Sequence, residues 1–163
     1  MPRKFQGAQY RGLKAPKLEL LLTNRGSLRC MPNNLTDVIP VVPYQDIRTA
    51  HDFLIRTLGF VSGGVVEDPA GEVIHGEVRA GDRRIWLHAA AEGLATPQEC
   101  GSTTGGIVIH VSDVDAHFRH AKAEGATITS EPQDKDYGQR QYGVRDPEGH
   151  DWWFATPFAS PAG

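Results

Sequence analysis

Cysteine is almost missing from this chain of 163 residues: Cys30 and Cys100 are the only two, and neither belongs to a C-x-x-C pair. That excludes a disulfide framework and the common cysteine zinc motifs, and it makes a reducing cytosol the simpler setting. Long apolar runs are missing as well. Leu18 to Leu22, the longest near the start, is interrupted by Glu19 and falls far short of the roughly 18 residues of a membrane helix, so neither a membrane span nor a secretion signal is expected. No P-loop, dinucleotide fingerprint, Gly-x-Ser-x-Gly elbow or Cys–His pair occurs. The doublets Gly63-Gly64 and Gly105-Gly106 sit at strand starts and read as turns rather than phosphate cradles.

What the chain does contain is ordinary globular material, 39% hydrophobic and 23% charged, at a length that suits one domain. Its net charge of −3 hides an uneven division. Residues 1–31 carry seven basic side chains against the single acid Glu19, or +6, and the remainder carries −9. Such an arm suits a polyanion or a transit peptide, but the simpler reading is a flexible basic extension over residues 1–35, with Met31 a natural start before the first strand. No nucleic-acid partner is expected.

The organising feature is a repeat. Val38 to Pro43 reads as a strand, and Asp46 then caps a helix whose Ile47, Ala50, Leu54 and Leu58 form one apolar stripe before Gly59 stops it. Sixty-seven residues after Asp46, Asp113 takes the same place. It follows the strand Ile107 to Val111 and opens a helix that turns Val114, Phe118 and Ala121 inward and ends at Gly125. Three short strands follow each helix: Val61–Glu67, Glu72–Ala80 and Arg83–Ala89, then Thr127–Ser130, Gln139–Arg145 and Asp151–Thr156. The expected fold is α+β, two βαβββ modules forming a curved mixed sheet around a cleft. Module 1 spans about residues 36–90, a polar glycine-containing linker 90–105, module 2 about 106–158, and a short tail 159–163.

In this setting Val111-Ser112-Asp113-Val114-Asp115-Ala116, Glu124-Gly125-Ala126, Tyr137-Gly138-Gln139-Arg140 and Asp146-Pro147-Glu148-Gly149-His150 resemble the vicinal oxygen chelate superfamily, the glyoxalase, bleomycin-resistance and dioxygenase group. The resemblance covers about residues 36–158 and implies a homodimer with a small-molecule cleft near the subunit interface. Metal-dependent members place a His or Glu on the first strand and a Glu on the last strand of each module. Here the corresponding positions are Ile39 and Gly106, then Trp86 (or Ile85) and Trp153. No metal and no other cofactor are therefore expected, although a divalent ion on rearranged ligands stays open.

With period-two alternation, Trp86 and His88 share a face, as do Gly106, Val108 and His110, and with Trp153 these are candidates for the cleft. The indoles can stack on a flat or cationic ligand, or simply plug the hole left by the ion. His88 and His110 are the candidate proton carriers if the protein is an enzyme, since imidazole titrates near neutral pH. Tyr137, Arg140 and Tyr142 form a second candidate ligand cluster, Arg140 offering a donor fork for an anion unless Asp146 pairs with it. His51, His117 and His120 read as solvated helix residues, His150 as structural, and His75 has no assignment. The expectation is a metal-independent protein that sequesters an aromatic or cationic compound, in the manner of antibiotic resistance. The alternatives are a lyase, isomerase or dioxygenase-like enzyme using His88 and His110, or a regulatory module with a filled cleft.

Overall fold

The computed structural model describes residues 36–103 and 105–158, so the expectations for the basic extension and the tail lie outside the described residues. Eleven elements follow in the order β1(Val41–Tyr44), α1(Ile47–Arg56), β2(Val61–Glu67), β3(Val73–Ala80), β4(Arg83–Ala89), α2(Pro97–Cys100), β5(Gly106–His110), α3(Val114–Ala123), β6(Thr127–Lys135), β7(Gln139–Arg145) and β8(Asp151–Pro157). They build two four-stranded sheets, ordered β1-β4-β3-β2 and β5-β8-β7-β6, each mixed because its first strand runs parallel to its last.

Both helices begin as their sequences require. The Asp46 carboxylate accepts from Thr49 N at 2.9 Å, and the Asp113 carboxylate from Ala116 N at 2.9 Å, which satisfies one orphan donor at each N-terminus. Ile47, Ala50 and Leu54 are buried on α1, with Leu58 in the turn beyond, and Val114 and Ala121 on α3. Gly59 and Gly125 take φ of 71° and 84°, left-handed values that cost a side chain energy and glycine very little.

Three expectations are corrected. The first strand starts at Val41 rather than Val38. The last two modular strands are joined to a longer β6 than expected, because it continues through Pro132 to Lys135 across a register irregularity. Pro132 is tolerated because β6 is an edge strand and the irregularity spares it a ladder bond. Finally, the linker contains α2, capped by a reciprocal box in which Thr96 and Glu99 bond each other's backbone, and it buries Thr96 to 1% exposure.

The two modules share their helix-side faces. Phe60, just past α1, meets Trp152 and Phe154 of β8 edge-on at 5.5 and 6.4 Å between ring centroids. Asp146 is the polar centre of this junction: buried, it accepts from Tyr44 Oη at 2.6 Å and Trp152 Nε1 at 3.1 Å, and from the backbone of Glu148 and His150. The turn it heads clamps module 1 through Glu148, whose carboxylate takes the N–H of Gln45 and of Asp46, and through His150 Nε2, which donates to Pro43 O at 2.7 Å. A satisfied buried network of this kind fixes the angle between the modules, because each broken member leaves a desolvated polar group behind.

Candidate functional site

Because side chains alternate along a strand, each sheet turns one face to its helix and leaves the other open. On the first sheet the register places Val41, Glu77 and Trp86 in one row and Pro43, His75 and His88 in the next. The indole of Trp86 and the imidazole of His88 lie nearly parallel, 6.1 Å apart with 11° between planes, and His75 stands edge-on to both at 5.5 and 5.1 Å. Trp86 Nε1 donates to Glu77 at 3.2 Å, and Arg79 donates to the same carboxylate at 2.7 Å. The Arg79 guanidinium, with the indole N–H assisting, holds the Glu77 carboxyl below its usual range. The result is a partly exposed aromatic platform with the Glu77–Arg79 ion pair at its edge.

The second sheet is built differently. Its open face carries Gly106, Val108 and His110 of β5 beside Asp151, Trp153 and Ala155 of β8. The Trp153 indole lies flat across the sheet. A Cβ on Gly106 would stand 2.8 Å from Trp153 Cη2, nearer still to Cζ3, and 2.6 Å from Asp151 O, while a Cβ on Gly143, two strands away, would lie 3.3 Å from Trp153 Cδ1. The ring requires glycine at position 106, whereas at Gly143 a Cβ would first meet the hydroxyls of Thr129 and Ser130 and only then the edge of the indole.

Trp86, His88, His110 and Trp153 all sit on open faces, but the first two belong to one sheet and the last two to the other. Among the described residues no hydrogen bond, ion pair or ring stack joins the two faces within one chain. His75 and Glu77, which complete the first platform, were not singled out by the sequence. Their signal is the cross-strand pairing of β3 with β4, and only a register exposes it.

The second expected cluster does not form. Tyr142 is fully buried on the helix side of β7, its hydroxyl 2.6 Å from His117 Nδ1, and burial pushes the phenol above its ordinary value. Arg140 lies on that same side and is held by Asp115 at 2.8 and 3.0 Å and by Asp134 at 2.8 Å; Asp146 is committed elsewhere and is not its partner. Tyr137 sits in the turn before β7, 66% exposed, and donates to Gln141 at 3.3 Å. The expectation of solvated helix histidines also fails in part. His51 is buried against Ser62, and His117 stacks on Phe154 at 4.2 Å with Nε2 on Leu58 O, whereas His120 is exposed but bonds Arg56 O.

The residues present do not fit the family's ion. Two indoles stand where carboxylates are needed, and neither offers a lone pair to a metal. Gly106 has no donor, and any side chain there would meet the Trp153 ring. Among the described residues no three His, Cys, Asp or Glu side chains are grouped to hold an ion. Nor is any described helix long and apolar enough to cross a membrane.

A duplicated βαβββ unit with an open face on each sheet defines a fold class, and comparison names the family that the chain shares it with. The model of the Glyoxalase/Bleomycin resistance protein/Dioxygenase superfamily matches residues 38–154, and the chain belongs to that family. An uncharacterized protein of Mycobacterium tuberculosis (strain H37Rv) is 32% identical over 123 residues, 72% of each chain. TioX from Micromonospora sp. ML1 shares 33% identity with a TM-score of 0.60 over 76% of this chain and all of its own (100%). TnmS3 of Streptomyces sp. CB03234, an antibiotic binding protein, has the same fold at 21% identity, with a TM-score of 0.61 over 76% of this chain and 96% of its own.

Proposed function

We propose that the protein binds a flat aromatic compound, neutral or cationic, without a metal, and holds it against the open faces of its sheets in the manner of an antibiotic-sequestering protein. The observation that carries this reading is the Trp153 indole laid flat over Gly106 and reaching Gly143. A plug would be buried, whereas Trp153 and Trp86 are both half-exposed. A rigid ring with one face free adds about 0.5–1.5 kcal/mol per aromatic contact beyond the area it buries. The Glu77 carboxylate, shared with Arg79, offers an acceptor at the edge of Trp86 to a ligand N–H, and the fold is one that serves antibiotic binding in TnmS3.

The site is completed by a second copy of the chain. Val41 and Val108 are 44% and 49% exposed on the two open faces, and the faces do not meet within one protomer. Bringing the first sheet of one protomer against the second sheet of its partner covers these valines and sets Trp86, His88 and His75 opposite Trp153 and His110, closing a cup between them. Light scattering is expected to return twice the chain mass, in a protein working in a reducing cytosol. The enzymatic alternative needs His88 and His110 on one substrate; within one protomer they stand on different sheets, and only the dimer cup sets them opposite each other. A screen of planar aromatic antibiotics and dyes by tryptophan fluorescence tests the reading. Binding with no chemical change in the ligand supports it; turnover that is lost in His110→Ala replaces it with the enzyme.

A further inference from the structure

The repeat makes the seam between the modules nearly symmetric, and the departure from symmetry is informative. At one end the turn Asp146–His150 reaches across to β1 through the bonds of Asp146, Glu148 and His150 to Tyr44, Gln45, Asp46 and Pro43, and α2 adds a bond from Gln98 N to Glu148 O. Sixty-seven residues earlier the positions of Asp146, Glu148 and His150 are taken by Arg79, Gly81 and Arg83. Among the described residues none of these bonds across to β5: Arg79 turns to Glu77 and Arg83 makes no ion pair. The seam at this end carries a hollow of about 630 Å³ between the β3–β4 turn and β5, larger than the hollow of about 450 Å³ beside the clamped end.

Its chemistry is two-part. The floor is apolar, formed by Phe60, Ile85, Ile107, Ile109 and Phe154. Arg79, Arg83 and Arg84 line the mouth with the imidazoles of His110 and His117, and among the described residues no carboxylate lines the hollow; Asp82, at the tip of the same turn, is not part of the wall. Glu77 and Asp37 hold Arg79 and Arg84 from outside. Arg83 shares the face of Ile85, two residues on, and so stands over the apolar floor with its guanidinium uncommitted. A hollow of this size accommodates a small organic molecule.

We infer that this seam is a second binding site, centred on Arg83 and sharing only Val108 and His110 with the open-face site, for a small organic anion with an apolar body, such as an aromatic or medium-chain carboxylate. The hydrocarbon fills the floor and the carboxylate takes the Arg83 fork, a charge-assisted pairing that guanidinium makes well. The charge preference is opposite to that of the Glu77-edged platform, which lets one experiment separate the two sites.

Calorimetric titration of the full chain with 2-naphthoate and with 2-naphthylmethylammonium tests this. Saturable binding of naphthoate, weakened on the order of tenfold by Arg83→Glu, restored in part by Arg83→Lys and unchanged by Trp153→Ala, is the expected result. Arg83 is exposed, so its variants keep the fold, and unchanged melting curves verify it. No naphthoate binding, naphthoate affinity within about twofold in Arg83→Glu, ammonium binding weakened by Arg83→Glu as much as naphthoate binding, or a loss that follows Trp153→Ala instead, overturns the seam site. The ammonium compound, a planar cation, reports on the open-face site, and its binding independently of Arg83 leaves the seam site standing.

Discussion

The six-membered ring of Trp153 occupies the space that a Cβ on Gly106 would need. These are the two positions of module 2 at which metal-dependent relatives are expected to carry their ligands, so one replacement requires the other. A ligand side chain cannot return to the first strand while the indole stays, and the indole cannot lie flat unless the first strand is glycine. Gly106→Ala is expected to destabilise the protein by about 1–3 kcal/mol through overpacking. Adding Trp153→Ala recovers only part of that, since the backbone Asp151 O also stands 2.6 Å from the new Cβ. Denaturant unfolding of the two single variants and the double variant measures the coupling; simple additivity would contradict the contact.

The Asp146 network makes a graded prediction. Tyr44→Phe removes one donor but leaves the carboxylate with Trp152 and two backbone N–H groups, and is expected to cost about 1 kcal/mol. Asp146→Ala orphans the buried Tyr44 hydroxyl and the Trp152 N–H together, and is expected to cost about 3 kcal/mol or more. Thermal unfolding that ranks the two variants in the reverse order would show that the turn, not the carboxylate, holds the modules.

His117 predicts a pH dependence with a definite sign. Its Nε2 must donate to the carbonyl of Leu58, which leaves Nδ1 to accept from the Tyr142 hydroxyl, so the folded site suits the neutral ring. Burial lowers its pKa below the ordinary 6.5, the Leu58 bond opposes this in part, and the neighbouring His120 adds a smaller lowering. As pH falls through about 6.5 the unfolded chain takes up the proton before the folded one does, so this contribution is present above that pH and is lost on acidification toward the folded pKa. Melting temperatures between about pH 7.5 and pH 5.5 are expected to fall less steeply in His117→Gln than in the unaltered protein, and an identical slope would remove His117 from the account.

Arg140 is predicted to matter little to binding. Its partners Asp115 and Asp134 are surface carboxylates, and exposed pairs contribute weakly. Arg140→Ala should lower the melting temperature slightly and leave ligand affinity unchanged. A clear loss of affinity would restore the cluster that the sequence proposed.

Why some features were legible and others not follows from which physical signal each depends on. The repeat, the caps at Asp46 and Asp113 and the strand pair Trp86/His88 rest on local patterns, period two along strands and the apolar stripe along helices, and the structure reproduces them. Tyr142 shares the parity of Val144, and both alternate onto the buried side of β7, which its polar hydroxyl disguises in the sequence. His117 lies on the inner stripe between Val114 and Ala121, a placement that helical spacing permits but that polar character disguised. The capping box Thr96-Pro97-Gln98-Glu99 was a readable helix start inside what looked like a plain linker. The platform partners His75 and Glu77 depend on strand register, which no single-strand pattern reveals. The closing of Trp153 over Gly106 likewise joins residues far apart in the chain.

The central claim is that the two open-face indoles receive the ligand while the third tryptophan does not, and the chain carries its own control. Trp152 lies 1% exposed in the core with its N–H on Asp146, whereas Trp86 and Trp153 are half-exposed on the open faces. The indole N–H resonances of the full chain, each assigned by a single Trp→Phe variant, are to be followed as a planar aromatic ligand from the fluorescence screen is added. The account predicts saturable shifts at Trp86 and Trp153 with a common dissociation constant, and a still Trp152. Saturation of the protein with ligand while Trp86 and Trp153 do not move, or a shift confined to Trp152, would contradict it.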